Sequence, residues 1–203
     1  YKRQPFNNAG TGHSALCELN YTPEKKGKID VSKAMSINEK FQLSRQFWSY
    51  QVENDVLKDP RAFINPVPHV SFGQGEDQID YLKRRYDALS ANHMFPDMQY
   101  TEDRDEFTEK LPLMAKGRNF DAEPVAISWT DAGTDINYGS LTKQYLDAAE
   151  ENGVVIRYGH EVTNLKREGN SWKVTVKNVH TGDKQVVKAK FVFVGAGGYA
   201  LDL

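Results

Sequence analysis

The stretch Lys190-Phe-Val-Phe-Val-Gly-Ala-Gly-Gly-Tyr-Ala200 decides the fold. Its four consecutive apolar residues, Phe191, Val192, Phe193 and Val194, are too few for a helix and rich in β-branched and aromatic types. That composition predicts a strand buried on both faces of a sheet. Gly195, Gly197 and Gly198 then strip side chains from the turn that follows, so a backbone or a ligand can come close. A turn at the carboxyl end of a buried strand is where open α/β sheets bind nucleotides, because the next helix offers unpaired N–H groups to anions. Three readings stay open at this point. Gly195-Ala-Gly-Gly-Tyr-Ala200 fits G-x-G-x-x-A and would open an NAD-binding Rossmann unit. Alternatively, the strand is a late one of a nucleotide-binding domain whose first strand lies elsewhere, or the turn holds no ligand at all.

The rest of the 203 residues bounds the choice. A formal net charge of −2 and a pI near 6.2 give no long-range attraction for nucleic acid or anionic lipid, so no nucleic-acid partner is expected. No apolar run approaches the ~18 residues of a membrane span, and no signal-peptide pattern opens the chain. The lone Cys17 excludes an intrachain disulfide and a cysteine-based metal cluster, and no metal site is expected. A cytoplasmic chain is the expectation. The start at Tyr1 without Met, and the stop just after a glycine turn, predict an internal piece of a longer protein.

Moving back along the chain, residues 7–13 form a polar, glycine-containing loop. Backbone N–H groups around Gly10 and Gly12, with the Thr11 and Ser14 hydroxyls, suit a phosphate or a polar ring edge. Residues 32–57 carry Ala34, Ile37, Phe41, Trp48, Val52 and Val56 at a spacing near 3.6, with Met35 and Phe47 widening the stripe, and predict the longest helix. Pro66 and Pro68 bar a central strand before His69, whereas residues 69–72 predict one with His69 and Ser71 on one face. Ile79, Leu82, Tyr86 and Leu89 mark a second helix whose Lys83, Arg84 and Arg85 read as a solvated face. A short acidic helix over 101–110, a strand over 123–129, a polar loop over 131–139 and a helix over 141–151 follow. From Val154 the period changes to two: strands at 154–158 and 161–165, then an antiparallel meander through Trp172, Val174, Val176 and Val186 that leads into the 191–194 strand.

Helix, short strand, three-stranded meander, then an apolar strand ending in glycines is the order of the FAD-binding domain in two-dinucleotide-binding-domain flavoproteins. More specifically, Asn7-Asn-Ala-Gly-Thr-Gly-His-Ser-Ala-Leu-Cys-Glu-Leu-Asn-Tyr-Thr-Pro23 and Phe41-Gln-Leu-Ser-Arg-Gln-Phe-Trp48 closely resemble the malate:quinone oxidoreductase family. So do Pro66-Val-Pro-His-Val-Ser-Phe72, Leu111-Pro-Leu-Met-Ala-Lys-Gly-Arg118, Gly133-Thr-Asp-Ile-Asn-Tyr-Gly139 and the final Phe-Val-Phe-Val-Gly-Ala-Gly-Gly-Tyr-Ala. The resemblance spans essentially the whole chain in consistent order. It implies an α/β fold: a partial FAD-binding, Rossmann-like domain with inserted α+β substrate-domain elements. Residues 1–31 and 139–203 would belong to the FAD domain and 32–138 to the substrate segment.

The same resemblance implies a peripheral enzyme of the inner face of the cell membrane. Its reaction would be oxidation of (S)-malate to oxaloacetate in the tricarboxylic acid cycle, with FAD as cofactor and a quinone as acceptor. Asn8, Ala9, Gly10, Thr11, Gly12 and His13 would line the flavin, Val162 would meet the adenine, and Gly195, Ala196 and Gly197 would close over the cofactor. On the substrate side a dicarboxylate calls for fixed cations and its oxidation for a base, which makes His69, His13 and Arg118 the catalytic candidates. Arg45, Lys116, Thr134, Asn137 and Tyr138 are the substrate-binding candidates. Two rival expectations remain: another FAD-dependent oxidoreductase of a 2-hydroxy acid or amine, and a fragment that binds nothing.

Overall fold

A computed structural model describes residues 9–197 and 200. The expected flavin contact at Asn8 and the turn residue Gly198 lie outside the described residues. The chain divides into two compact units, Tyr1–Ala149 and Glu150–Leu203.

In the first unit a two-residue hairpin, β1 (Glu24–Lys25) with β2 (Lys28–Ile29), leads into helix α1 (Ser32–Glu53). Asp30 starts that helix, its Oδ1 accepting from the Ser32 amide at 3.0 Å and the Ser32 hydroxyl at 2.6 Å. The helix ends four residues short of the periodic pattern, because Asn54 turns its side chain back onto the Tyr50 carbonyl and Asp55 takes a φ of 58°. Only Ala34, Asn38 and Phe41 of α1 are buried. Phe47, expected to widen the apolar face, is instead 53% exposed beside exposed Leu43 and Tyr50.

The prolines act as expected: β3 (Ile64–Pro66) is confined to a two-stranded pair with β7 (Thr134–Ile136). β4 (His69–Gln74) follows with the expected alternation, His69 and Ser71 buried and Val70 and Phe72 packed towards Phe107. Helix α2 (Glu76–Ser90) lies across β4 and the central strand β6 (Val125–Thr130), which β4 and β5 (Gln99–Thr101) flank in antiparallel order β4-β6-β5. All six residues of β6 are buried, as a strand covered on both faces must be. The short helices α3 (Arg104–Lys110) and α4 (Pro112–Ala115) cover its outer face, α3 capped by Asp103 through the amides of Asp105 and Glu106.

Two expectations fail in this unit. Arg85 does not belong to a solvated face: it is 0% exposed, because it falls three residues after Leu82 and four before Leu89 on the buried stripe of α2. The polar loop at 131–139 contains β7, whose three residues are too short to show a period. Its pairing partner lies about 70 residues earlier in the chain, at β3. Helix α5 (Tyr138–Glu151) also begins earlier than expected, because the Asn137 side chain accepts from the Ser140 amide at 3.0 Å.

The second unit is the expected meander, β8 (His160–Glu168), β9 (Ser171–Asn178) and β10 (Lys184–Ala189) in order β10-β9-β8. The register slips between Val162 and Asn164, so Thr163 forms a bulge. The strands expected at 154–158 and 191–194 are absent. Val155 is 77% exposed, Phe191 78% and Phe193 85%, which overturns burial on both faces. Their composition favours a strand, but a strand also needs neighbours, and no described residue pairs with either segment.

Candidate functional site

The site in the first unit is built where the glycine loop meets β7. An antiparallel bridge joins Thr11 to Asp135, with the Gly12 amide donating to the Thr134 carbonyl at 2.9 Å and the Ile136 amide to the Gly10 carbonyl at 2.5 Å. Such closeness requires glycine on the loop side. A Cβ at Gly12 would stand 2.0 Å from Thr134 Oγ1, and Gly10 has a φ of 77° with the Ile136 carbonyl 2.8 Å from the Cβ position. The loop is therefore an added strand on the free edge of the β3–β7 pair, held by its backbone.

A cavity of about 390 Å3 opens beside this bridge, lined by Thr11, Asn65, Pro66, Val67, His69, Thr134 and Asp135. It unites three residues singled out in the sequence: Thr11 from the loop, His69 from β4 and Thr134 from β7. Thr134 Oγ1 is buried against Gly12 and makes no hydrogen bond among the described residues. His69 Nε2 lies 3.2 Å from the Thr134 carbonyl and Nδ1 lies 3.8 Å from Cys17 Sγ. The carbonyl can only accept, so Nε2 carries the proton and Nδ1 faces the thiol.

Cys17 itself is a poor nucleophile. Burial, then the neighbouring Glu18 carboxylate, push its pKa up to about 11. Its alkylation at pH 8, followed by peptide mass mapping, is expected to run ~100-fold slower than that of an ordinary exposed thiol. Reaction at the ordinary rate would show that the thiol is neither buried nor next to Glu18. The sign for stability follows from the same shift. Folding holds the proton more tightly than the unfolded chain does, so this contribution is intact below pH ~9 and is lost as the pH rises towards 11.

His13 extends from the far end of the loop. Its side chain is 52% exposed, and Nδ1 lies 3.1 Å from Glu18 Oε1. The next residue, Ser14, lines a smaller pocket of about 160 Å3 with Asn38, Gln42, Arg45, Asp97 and Thr130. Arg45 is exposed at this pocket and gives one hydrogen bond to Gln42 Oε1 at 3.2 Å. Thus the loop is bordered by a cavity holding His69 and Thr134 and by a pocket holding an arginine.

In the second unit a cavity of about 730 Å3 is lined by Val162, Thr163, Val174 and residues 192–196, with Glu161 and Leu165. Val162, Gly195 and Ala196, predicted for the cofactor, share this one cavity. The bulge at Thr163 sits at its wall, next to Val162. Gly197, with a φ of 56°, follows directly on the lining residues.

Other candidates are not brought to these sites. Arg118 holds the Gln74 side chain at 3.2 Å, lies 3.6 Å from Glu123 and stacks over the Phe72 ring at 5.3 Å, on the face of β4 opposite His69. Lys116 is exposed after α4. The Asn137 side chain caps α5, and Tyr138 packs in the cluster of Leu57, Phe63 and Leu141, where burial raises its hydroxyl pKa. Sequence reasoning missed Asn65, Asp135, Glu18 and Arg85. The first two line the cavity only through the β3–β7 pairing, and no local pattern marks the others.

The sequence and the fold are similar to those of known proteins. The family model described as malate:quinone oxidoreductase matches residues 2–203. A probable malate:quinone oxidoreductase of Corynebacterium aurimucosum is 70% identical over 199 residues, covering 98% of this chain and 40% of that one. The malate:quinone oxidoreductase of Corynebacterium glutamicum is likewise 70% identical over 98% of this chain and 40% of its own length, and a probable one of Rhodococcus jostii is 57% identical over 98% and 40%. The chain thus spans about 40% of the length of the curated relatives it matches. Among solved structures, glycine oxidase from Geobacillus kaustophilus superposes with a TM-score of 0.64 at 15% identity, over 98% of this chain and 46% of that chain. L-Proline dehydrogenase from P. horikoshii gives 0.54 at 17%, over 97% and 45%. These two share the mixed α/β fold.

Proposed function

The chain belongs to the malate:quinone oxidoreductase family, and from that premise we propose that the whole protein containing it oxidises (S)-malate to oxaloacetate and delivers the electrons to a quinone, the reaction of class EC 1.1.5.4 in the tricarboxylic acid cycle. The observation that carries the reading is the glycine loop, which bears His13 at its end and is bordered on one side by the cavity of Thr11 and His69 and on the other by the pocket that holds Arg45.

The residues present fit FAD. The second unit, taken by itself, offers a cavity of nucleotide size walled by Val162, Gly195 and Ala196. In the first unit residues 9–13 are the candidates to border a flavin; in the second, taken by itself, Val162 is the candidate to meet an adenine and residues 195–197 to close over a nucleotide. When bound there, FAD supplies the acceptor for a hydride and the route onward to quinone.

The chain's own residues do the rest. His13 takes the hydroxyl proton of malate at Nε2, which has no partner among the described residues. Arg45 meets a substrate carboxylate, because it presents a guanidinium whose one hydrogen bond among the described residues goes to neutral Gln42. Thr11, which lines the cavity, orients the substrate through its hydroxyl. His69, engaged on both nitrogens, fixes the Thr134 carbonyl and with it the loop. Arg118 stabilises the opposite face of β4.

No described helix is long and apolar enough to cross a membrane. The family resemblance, and not this absence, is what suggests peripheral attachment at the inner face of the cell membrane for access to a quinone. The test is anaerobic mixing of the full-length protein with (S)-malate, lactate or 2-hydroxyglutarate. Loss of the oxidised-flavin absorbance with malate, and its return on adding a quinone, is the expected result. Bleaching by another acid but not by malate would replace the substrate, and absence of flavin absorbance would end the reading.

A further inference from the structure

We infer that Glu18 is a positioning residue for His13, holding the imidazole in the tautomer that leaves Nε2 free to accept a proton. The inference rests on the reading above that His13 is the base.

Two observations carry it. First, the His13 ring and the Glu18 carboxylate meet at 3.1 Å although the chain between them is short, and the structure departs from ordinary backbone geometry to bring them together. Ala15, between the two, adopts a φ of 58°, a left-handed conformation that a residue with a Cβ seldom takes. Arg85 of α2 secures that turn, its Nη2 donating to the carbonyls of Ala15 at 3.3 Å and Leu16 at 3.2 Å. The bend costs free energy, and the His13–Glu18 contact spans it.

Second, Glu18 is arranged to orient rather than to pair on the surface. Its side chain is 19% exposed against 52% for His13, so the carboxylate stays fixed while the ring projects outward. Its other oxygen, Oε2, is buried, and the Cys17 thiol lies against the same carboxylate, so the group is held in place. The other charged or titratable groups facing it are the Cys17 thiol beside it and the buried Arg85 guanidinium beneath. An imidazole that donates an Nδ1–H hydrogen bond to a carboxylate keeps that proton and presents a lone pair at Nε2, and the carboxylate then stabilises the imidazolium formed.

The experiment uses full-length, FAD-containing protein and the variants E18A, E18Q and H13Q, with two readouts. Steady-state turnover of malate with a soluble quinone is expected to fall ~100-fold or more in H13Q and ~10- to 100-fold in E18A, with KM changed less than ~3-fold and E18Q intermediate because its amide oxygen still accepts from Nδ1–H. Nitrogen NMR of 15N-histidine-labelled protein, with His13 assigned by its loss in H13Q, is expected to report the Nδ1–H tautomer in the parent and its loss in E18A. Flavin absorbance and circular dichroism identify any variant that fails to fold, in which case E18Q decides. An unchanged tautomer together with E18A turnover within ~2-fold of the parent, while H13Q is inactive, overturns the role of Glu18 and leaves the base assignment standing. Full turnover in H13Q overturns the base assignment instead, and the tautomer readout alone then decides whether Glu18 holds the ring.

Discussion

Replacing Arg85 by methionine is expected to destabilise the folded chain by about 3–5 kcal/mol, among the largest effects available to a single substitution in it. The guanidinium is 0% exposed and reaches three neutral oxygens: Thr22 Oγ1 from Nε at 3.0 Å, and the Ala15 and Leu16 carbonyls from Nη2. Burial pulls its pKa below the ordinary arginine value, with Tyr81, Cys17 and Glu18 opposing the shift. A buried charge is often replaceable by an apolar side chain without loss when both partners are replaced together. Here the partners are backbone carbonyls that no substitution removes, and each one left buried and unpaired costs ~1–3 kcal/mol.

The consequence reaches function through the loop. Ala15 and Leu16 follow directly on His13 and Ser14, so freeing their carbonyls releases the strained turn that ends the glycine loop. Full-length R85M should therefore melt lower and carry less flavin per protein, while R85K recovers part of both through its single ammonium. A melting temperature within a degree or two of the parent would show that these carbonyls find other donors and that Arg85 does not clamp the turn.

What could be read from sequence was what depends on near neighbours. Helix α2 and the alternation of β4 are periodic over a few residues, and periodicity is visible without knowing what the element packs against. The proline logic worked for the same reason: a missing donor is a property of the residue itself. Arg85 failed because Lys83, Arg84 and Arg85 look alike in a window, and only the placement of Thr22 and the 15–16 turn under α2 separates the third from its neighbours. β7 failed because its partners, β3 and Thr11, lie far away in the chain. The segments at 154–158 and 191–194 failed in the opposite sense: their residues favour a strand, and a strand without neighbours is not formed.

The site divides along the same line. Chemical need named residue types, a histidine and a cation, but could not tell which of Arg45 and Arg118 lies beside the loop. That choice depends on β4 turning its two faces apart, one carrying His69 and the other Phe72 with Arg118 stacked on it.

Gly133→Ala is expected to cost about 3 kcal/mol, the upper part of the usual range for overpacking. The position precedes β7 and faces the segment that enters β4. A Cβ there would stand 2.4 Å from both the Val67 carbonyl oxygen and His69 Cδ2, and 2.6 Å from His69 Cγ. Neither neighbour can withdraw cheaply. The Val67 amide is bonded to the Gly133 carbonyl at 3.0 Å, which pins the two backbones together, and the His69 ring is fixed at Nε2 by the Thr134 carbonyl. The ring is the softer of the two, so it should swing away, leave Thr134 and enlarge the cavity it shares with Thr11. The variant should then lose malate turnover as well as stability, with a melting temperature lower by roughly 6–12 °C for a unit of this size. Gly117→Ala is the matched control. Gly117 has a φ of 78° but open space around its Cβ position, so it should cost only the ~1 kcal/mol of an unfavourable backbone and leave turnover alone. If the two variants behaved alike, the close approach of residues 67, 69 and 133 would not exist in solution. The cavity joining His69 to the glycine loop would then lose the wall that shapes it.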